Sequence, residues 1–263
     1  MEHISYSQYN SYTKCPRAWY LNKVKHAEEK QTWYLPIGTA VHKMIEAWLD
    51  PMPEPFPSAE AFFYPLISAQ MAIEPDTSKW MAGGSKDEPV VEERALRRVE
   101  ECFEKALTFL EDIDVWEVEY DATGYLPGLE VPVKAYVDIT GEHKEHGPVI
   151  LDWKTGSSKP SDNFQLETYK ALLSPLIPFK GLWAMLNPKA SKARPVDLSA
   201  VDPAEVGAKY QAAYEGMKAK LYPTKHNKFK CGFCFHQDNC LLNAGPTERA
   251  KYYDRAHEDG LPY

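Results

Sequence analysis

Residues 137–156 read VDITGEHKEHGPVILDWKTG, and the prediction of the fold begins with this stretch. The run VILDW is short and apolar, which predicts a buried strand, and alternating apolar residues over 131–137 predict the strand before it. The intervening residues GEHKEHG are polar and predict a turn. Two adjacent strands would bring the residues at their ends close together.

Carboxylates stand at the ends of both predicted strands. Asp138 ends the first strand, and Asp152 and Lys154 end the second. A pair of carboxylates suits Mg²⁺ or Mn²⁺, which prefer oxygen ligands. Side chains alternate along a strand, so Asp152 and Lys154 should share a face, where the lysine can hold and help deprotonate a water molecule. Taken alone, D-x-K also fits a turn with an exposed lysine.

The surrounding sequence predicts helices and further strands. A wide apolar stripe with helical spacing covers 91–112 and includes Cys102 as a core residue. The other predicted elements are a strand at 116–120, a helix at 163–174, a strand at 181–186 and a helix at 203–221 with Asp202 as its N-cap. This order predicts an α/β fold with a central mixed sheet flanked by helices. The proline-rich and glycine-containing stretches 50–57 and 74–89 predict loops around a helical insertion.

Three further side chains could serve the same site. His42, in the segment GTAVH that opens a predicted helix, could supply an imidazole ligand, although it also fits an ordinary core or surface histidine with Gly38 and Thr39 capping the helix. Gln165 and Tyr169 share one face of a later helix and could hydrogen-bond phosphate oxygens or bases. A buried structural pair is the alternative for these two residues.

Four of the five cysteines form a pattern. Cys231, Cys234 and Cys240 give C-x-x-C-x5-C, and Cys15 lies far away near the N-terminus. Four thiolates can bind zinc or an iron–sulfur cluster. Zinc ribbons usually supply two C-x-x-C pairs, so the three-plus-one arrangement favours iron–sulfur. His226 and His236 remain possible substitute ligands if the metal is zinc.

Composition limits the partners. The formal net charge is −8, which argues against broad coating of a polyanion, so contact with nucleic acid must be local. The lysines of 218–230 are one local basic run. The sequence has neither a signal-peptide profile nor an apolar run long enough for a membrane helix, and we expect an intracellular, cytoplasmic protein without a membrane partner.

Taken together, the motifs SYSQYNSYTKCPRAWYL, GTAVH, the strand ending in Asp138, DWKTG, Q-x-x-x-Y and C-x-x-C-x5-C resemble the RecB-like PD-(D/E)xK nucleases with an iron–sulfur cluster. That group includes CRISPR-associated RecB-like exonucleases, the AddB nuclease domain and phage relatives. The motifs occur in the order of the family and leave only the insertion uncovered. Asp152 stands where many relatives have glutamate, and the motif also accepts aspartate.

The resemblance implies a restriction-endonuclease-like core and a set of roles. His42, Asp138, Asp152 and the Trp153 carbonyl would hold Mg²⁺ or Mn²⁺, and Lys154 would position the attacking water. Gln165 and Tyr169 would contact DNA, and Cys15, Cys231, Cys234 and Cys240 would hold a 4Fe-4S cluster. Glu119, on the preceding strand, is expected at most to support the site from outside the ligand set.

We therefore predict one nuclease domain over 1–263. Within it, 1–36 and 222–245 would form an iron–sulfur region joining the termini, 50–112 the helical insertion and 113–221 the nuclease core. The expected activity is metal-dependent exonucleolytic hydrolysis of DNA from ends of single strands, in recombination, repair or processing. Aromatics such as Trp19, Tyr20 or Phe229 could stack on the bases, although buried packing is the expected role for any one of them. The sequence has no helicase motif, so unwinding would come from a helicase or recombination partner. The alternatives are a catalytically silent iron–sulfur adaptor that binds DNA and a zinc-ribbon protein with an incidental D-x-K.

Overall fold

The computed structural model describes residues 1–50, 55–81, 91–156, 158–187, 193–225 and 231–240. The chain divides into two compact units, the first formed by Met1–Lys30, Gly124–Lys134 and Pro203–Tyr263 and the second by Gln31–Thr123 and Ala135–Asp202. In chain order the elements are β1 (Ile4–Ser5), α1 (Tyr6–Lys14), α2 (Pro16–Lys23), α3 (Leu35–Leu49), α4 (Ala59–Ile73), a 3-10 helix (Thr77–Lys79), α5 (Glu92–Leu110), β2 (Ile113–Asp121), β3 (Val133–Lys134), β4 (Tyr136–His143), β5 (Gly147–Lys154), α6 (Phe164–Leu172), β6 (Lys180–Met185), β7 (Arg194–Val196) and α7 (Pro203–Lys218).

The second unit contains a five-stranded sheet with the order β2-β4-β5-β6-β7. Strands β5 and β6 are parallel, whereas the other neighbouring pairs are antiparallel. The predicted central mixed sheet is therefore confirmed. Strand β5 lies between two partners, and Val149, Ile150 and Leu151 are fully buried, which explains why its sequence is a continuous apolar run.

Helices cover both faces of this sheet. On one face, α3, α4 and α5 enclose a core to which α5 contributes its apolar stripe, with Ala95, Val99, Cys102 and Ala106 fully buried. On the other face, α6 packs Leu166 and Tyr169 into a second core. Cys102 is thus a core residue, as its place in the stripe predicts.

Two local expectations were wrong. The alternation over 131–137 does not form one strand, because β3 pairs with β1 in the first unit whereas β4 starts anew at Tyr136 in the second. The polar segment GEHKEHG is also not all turn, since β4 continues to His143, which pairs with Gly147. Polar side chains are tolerated there because this end of the hairpin is largely exposed. Part of each predicted loop, residues 51–54 and 82–90, lies outside the described residues.

The first unit is mainly helical. It contains helices α1, α2 and α7 and the short parallel strand pair β1–β3. The hydroxyl of Tyr12 on α1 donates a 2.7 Å hydrogen bond to the carbonyl of Leu221, just after α7. Gly207 of α7 packs so closely on the Pro127 carbonyl that a Cβ there would lie 2.2 Å from the oxygen. Among the helices in the described ranges, none has the length and apolar character to span a bilayer.

Candidate active site

Neighbouring strands carry the two carboxylates of the predicted metal site. Asp138 on β4 is 8% exposed and Asp152 on β5 is 1% exposed. The Trp153 amide donates a 2.7 Å hydrogen bond to Oδ2 of Asp138, which ties the two strands together at this point. Burial and the negative charge of Asp152 raise the pKa of Asp138 well above its usual range, although the Trp153 hydrogen bond opposes this shift.

Helix α3 brings His42 to this pair of strands. Its Nδ1 atom lies 3.7 Å from Oδ1 of Asp138, and its ring interacts with the backbone of Trp153. Burial lowers the pKa of His42, which favours the neutral imidazole that can bind a metal. Gly38 does not cap this helix, because α3 begins earlier, at Leu35, whose amide donates to Oγ1 of Thr32.

Glu119 on β2 joins the same cluster. Ligand atoms of His42, Glu119 and Asp138 lie within 4.8 Å of one another. The pairs Val118–Ile139 and Tyr120–Val137 place Glu119 opposite Asp138 across β2 and β4. Sequence reasoning gave Glu119 only a supporting role. The register of β2 against β4 is the information that aligns Glu119 with Asp138, and the sequence alone does not supply it.

Lys154 and helix α6 form the other side of the site. The Lys154 ammonium forms an ion pair with Asp152 and donates a 3.0 Å hydrogen bond to Oε1 of Gln165. The amide of Gln165 in turn donates to the Tyr169 hydroxyl at 2.8 Å. The structure therefore joins all four residues in one network and fixes the orientation of the lysine.

The donor set fits a divalent cation. Three carboxylates converge with a histidine whose ring tends to be neutral, and Lys154 is the cation that contacts Asp152. Oδ2 of Asp152 is buried, and the Lys154 ammonium is its ion-pair partner. Buried anions in such excess are unfavourable without a counter-charge. Oxygen and imidazole donors of this kind suit Mg²⁺ or Mn²⁺.

The four cysteines that are predicted to hold the cluster all lie in the first unit. Cys15 stands between α1 and α2. Burial raises the pKa of Cys234, and Cys240, Cys15 and Cys231 raise it further, so these three cysteines lie in its neighbourhood. The backbone of His236 also forms a hydrogen bond with Cys234. His236 itself is 4% exposed, and its Nε2 atom lies 3.3 Å from Glu29. His226 lies outside the described residues.

The aromatic residues suggested for base stacking are packed instead. Trp19 and Tyr20 are 5% and 4% exposed, and both rings contact Tyr222, with centroid distances of 5.8 Å and 4.6 Å. Rings buried in this way have no free face for a base. Phe229 lies outside the described part of the chain.

The match to a protein-family model agrees with this geometry. The family model described as the PD-(D/E)XK nuclease superfamily matches residues 3–241. The Gene 69 protein of Mycobacterium phage D29 is 26% identical over 268 residues, covering 90% of this chain and 95% of the phage protein. The Gene 69 protein of Mycobacterium phage L5 is 23% identical over 282 residues, with the same two coverages. The crystal structure of SSO0001 aligns with a TM-score of 0.41 and 13% identity, covering 85% of this chain and 92% of that one.

Proposed function

The chain belongs to the PD-(D/E)XK nuclease superfamily, and from this premise we propose that it is a RecB-like exonuclease that degrades DNA from free single-stranded ends. Membership of the superfamily implies a metal-dependent nuclease with DNA as a substrate. The observation that carries the proposal to this site is the convergence of the residues expected from the family motifs. These are His42 on α3, Asp138 near the start of β4, and Asp152 and Lys154 at the end of β5.

In the proposed mechanism, Asp138, Asp152, His42 and the Trp153 carbonyl would hold Mg²⁺ or Mn²⁺. The metal supplies Lewis-acid chemistry, which lowers the pKa of water and neutralises charge on the phosphate. The Trp153 amide holds Asp138 in place, so the carboxylate presents its other oxygen, Oδ1, to the side where His42 lies. Because this hydrogen bond already orients the carboxylate, Asp138 would lose less conformational freedom when a cation binds.

Lys154 positions and polarises the attacking water. Its Nζ atom is held between Asp152 and Gln165, so the ammonium stays beside the ligand cluster. An ammonium in this place can orient a water molecule towards phosphorus and stabilise negative charge that develops on it. Gln165 and Tyr169 contact the DNA near the scissile phosphate, and their mutual hydrogen bond supports the orientation that this contact requires.

The proposal includes a 4Fe-4S cluster bound by Cys15, Cys231, Cys234 and Cys240. The electrostatic effect of Cys240, Cys15 and Cys231 on Cys234, all within the first unit, supports it. Segment Glu28–Lys30 is also joined to the cysteine-rich segment, since the Lys30 amide donates to the Phe235 carbonyl at 3.0 Å and Asn239 donates to the Glu28 carbonyl at 3.1 Å. A cluster there would be a structural crosslink between distant parts of the chain.

The test is degradation of end-labelled linear single-stranded DNA beside a circular control. Wild type is assayed with Mg²⁺ or Mn²⁺, with chelator, and against an Asp152→Asn variant. We expect metal-dependent loss of the linear DNA alone, abolished in the variant. Cleavage of the circle would show endonuclease action instead, and intact DNA with folded, brown protein would favour the silent adaptor.

A further inference from the structure

We infer that Trp183, on strand β6, is a positioning residue for Lys154 and holds the lysine ammonium beside the acids of the site. The inference rests on the proposed function, in which Lys154 positions the attacking water, and it names a residue that keeps this lysine in place. Trp183 lies outside the sequence motifs described above. It is 1% exposed, so it acts through Lys154 and not by touching the DNA.

The indole ring of Trp183 faces the Lys154 ammonium. Nζ of Lys154 lies 5.0 Å from the ring centroid, within the distance at which the face of an aromatic ring attracts a cation. Strand register produces this contact, because Trp183 is the parallel partner of Asp152 and Lys154 lies two residues further along the same face of β5. Tryptophan attracts cations more strongly than the other aromatic residues do.

Three contacts together restrict the lysine ammonium. Asp152 pairs with its charge, Oε1 of Gln165 accepts a hydrogen bond at 3.0 Å, and the ring of Trp183 is the third contact. An ammonium is a compact charge on a flexible stem, so a single ion pair leaves it free to pivot around the carboxylate. The amide and the ring limit this pivoting and keep the ammonium where the proposed water would lie.

The indole N–H of Trp183 anchors helix α6. Nε1 donates a 3.0 Å hydrogen bond to Oδ1 of Asn163, the residue at the N-cap of α6. Asparagine at this position usually caps its own helix, but within the described residues the Asn163 side chain makes no capping hydrogen bond. Gln165, which accepts from Lys154, is two residues further along. Trp183 thus contacts the lysine and also the start of the helix that carries the hydrogen-bond partner of the lysine.

A second aromatic residue in the same core provides a matched control. Phe179 is 5% exposed and packs in the core that contains Trp183. It also faces a lysine, since Nζ of Lys170 lies 5.9 Å from its ring centroid. Lys170 donates a 2.8 Å hydrogen bond to the Ile177 carbonyl, whereas the cation at Trp183 is a residue of the proposed site. Phe179→Leu therefore reproduces the loss of a buried ring at a lysine outside the proposed mechanism.

NMR of the full chain in chelator tests the contact without using activity. The Hε protons of isotope-labelled lysines are recorded, and the Lys154 signal is identified by its loss in Lys154→Gln. Protons that lie over the face of an aromatic ring are shifted upfield by the ring current. We expect an upfield Lys154 signal in wild type, a smaller shift in Trp183→Phe and an ordinary lysine position in Trp183→Leu. Phe179→Leu should leave the Lys154 signal in place.

Cleavage kinetics on end-labelled single-stranded DNA with Mn²⁺ test the consequence. We expect Trp183→Leu to lower kcat by roughly 3- to 30-fold, the effect of a partly desolvated cation–π contact, with little change in KM. Trp183→Phe keeps an aromatic face and should recover most of kcat. Phe179→Leu should lower the thermal midpoint but leave kcat near that of wild type. In a Lys154→Gln background, Trp183→Leu should have no further effect on kcat, because Trp183 acts through the lysine.

The outcomes that overturn the inference differ from those that overturn the proposed function. If the Lys154 signal of wild type is not shifted upfield, or if Trp183→Leu lowers kcat equally with and without Lys154, Trp183 is only a packing residue and the proposed function stands. If wild type cleaves no DNA, the proposed function fails, and the Lys154 signal alone decides whether Trp183 holds the lysine. Wild type and Trp183→Phe decide the result if Trp183→Leu does not fold.

Discussion

The backbone amide of Trp153 donates a 2.7 Å hydrogen bond to the Asp138 side chain. Trp153 directly follows Asp152, so one contact fixes the spacing of the two acids that the D-x-K motif and the preceding strand supply. The Trp153 backbone also interacts with His42. A single residue of β5 therefore orders donors from β4 and α3, and its own buried ring anchors it in the core on the α3 face of the sheet.

Replacing Lys154 with Gln should separate chemistry from metal binding. We expect cleavage to fall by about 10²- to 10⁴-fold, the usual contribution of a positioned proton-transfer group. Mn²⁺ affinity should stay the same or rise, because a positive charge beside the ligands is removed. Single-turnover cleavage and calorimetry measure the two effects. Lys159→Gln, an exposed lysine nearby, is the control and should change neither. Equal losses of binding and cleavage would assign Lys154 to the support of the ligands.

Removing the Tyr169 hydroxyl should loosen Gln165. The Tyr169→Phe variant loses the 2.8 Å hydrogen bond from the Gln165 amide but keeps the buried ring. We expect kcat/KM to fall by roughly 2- to 10-fold, which corresponds to one hydrogen bond of about 0.5–1.5 kcal/mol. Kinetics on a short single-stranded oligonucleotide measure the effect. An unchanged kcat/KM would mean that Tyr169 has only a packing role.

Stability of the metal-free protein should depend on pH through Asp138. Its pKa is raised in the folded state, chiefly by burial, so folding favours its protonated form. The resulting stabilisation is complete below the unfolded pKa of about 3.9 and is lost as pH rises through the raised folded pKa. Relative to Asp138→Asn, which cannot ionise, wild type in chelator should therefore lose stability as pH rises.

The comparison with Asp138→Asn also separates this effect from His42. The lowered pKa of His42 acts in the opposite direction, destabilising the fold as pH falls through about 6.5. Both proteins keep His42, so most of its contribution cancels in the stability difference between them. Thermal midpoints of the two proteins across the pH range measure this difference. Excess Mn²⁺ should restore the stability of wild type mainly at high pH. If the difference in thermal midpoint between wild type and Asp138→Asn does not vary with pH, the raised pKa of Asp138 is contradicted.

Sequence patterns predicted the parts of the fold that local periodicity encodes. The apolar run of β5 and the stripe of α5 were recognisable because burial imposes one period on many consecutive residues. The break at Ala135 could not be recognised from the sequence. The apolar alternation continues across it, but the strand before it pairs with β1 and the strand after it pairs with β2. The two-residue β1 and three-residue β7 are too short to carry a period. The position of Glu119 beside Asp138 could not be predicted from the sequence, because it depends on a left-handed residue and on strand register.

Close packing in the first unit predicts that Gly207→Ala is destabilising. The added Cβ would lie 2.2 Å from the Pro127 carbonyl oxygen, and backbone atoms cannot rotate away as a side chain can. Displacing the Pro127 turn from α7 should cost about 1–3 kcal/mol. Chemical denaturation measures the loss. Gly156→Ala is the control, because no atom lies within 4 Å of its added Cβ. Equal effects of the two variants would contradict a steric origin.

The fifth cysteine provides an internal control for the cluster proposal. Cys15→Ala removes one of the four thiols proposed to hold the cluster. We expect the anaerobically purified variant to lose most of its iron and its brown colour, since the proposed cluster is held by four thiolates. Cys102→Ala removes a thiol buried in the core of the second unit, where burial raises its pKa to about 11 and the neutral form only packs. That variant should keep its iron and lose about 1 kcal/mol of stability from the small cavity. If wild type contains zinc instead of iron, the same cysteines form a single-ion site and the cluster proposal is wrong. If the two variants contain equal amounts of iron, Cys15 is not a ligand.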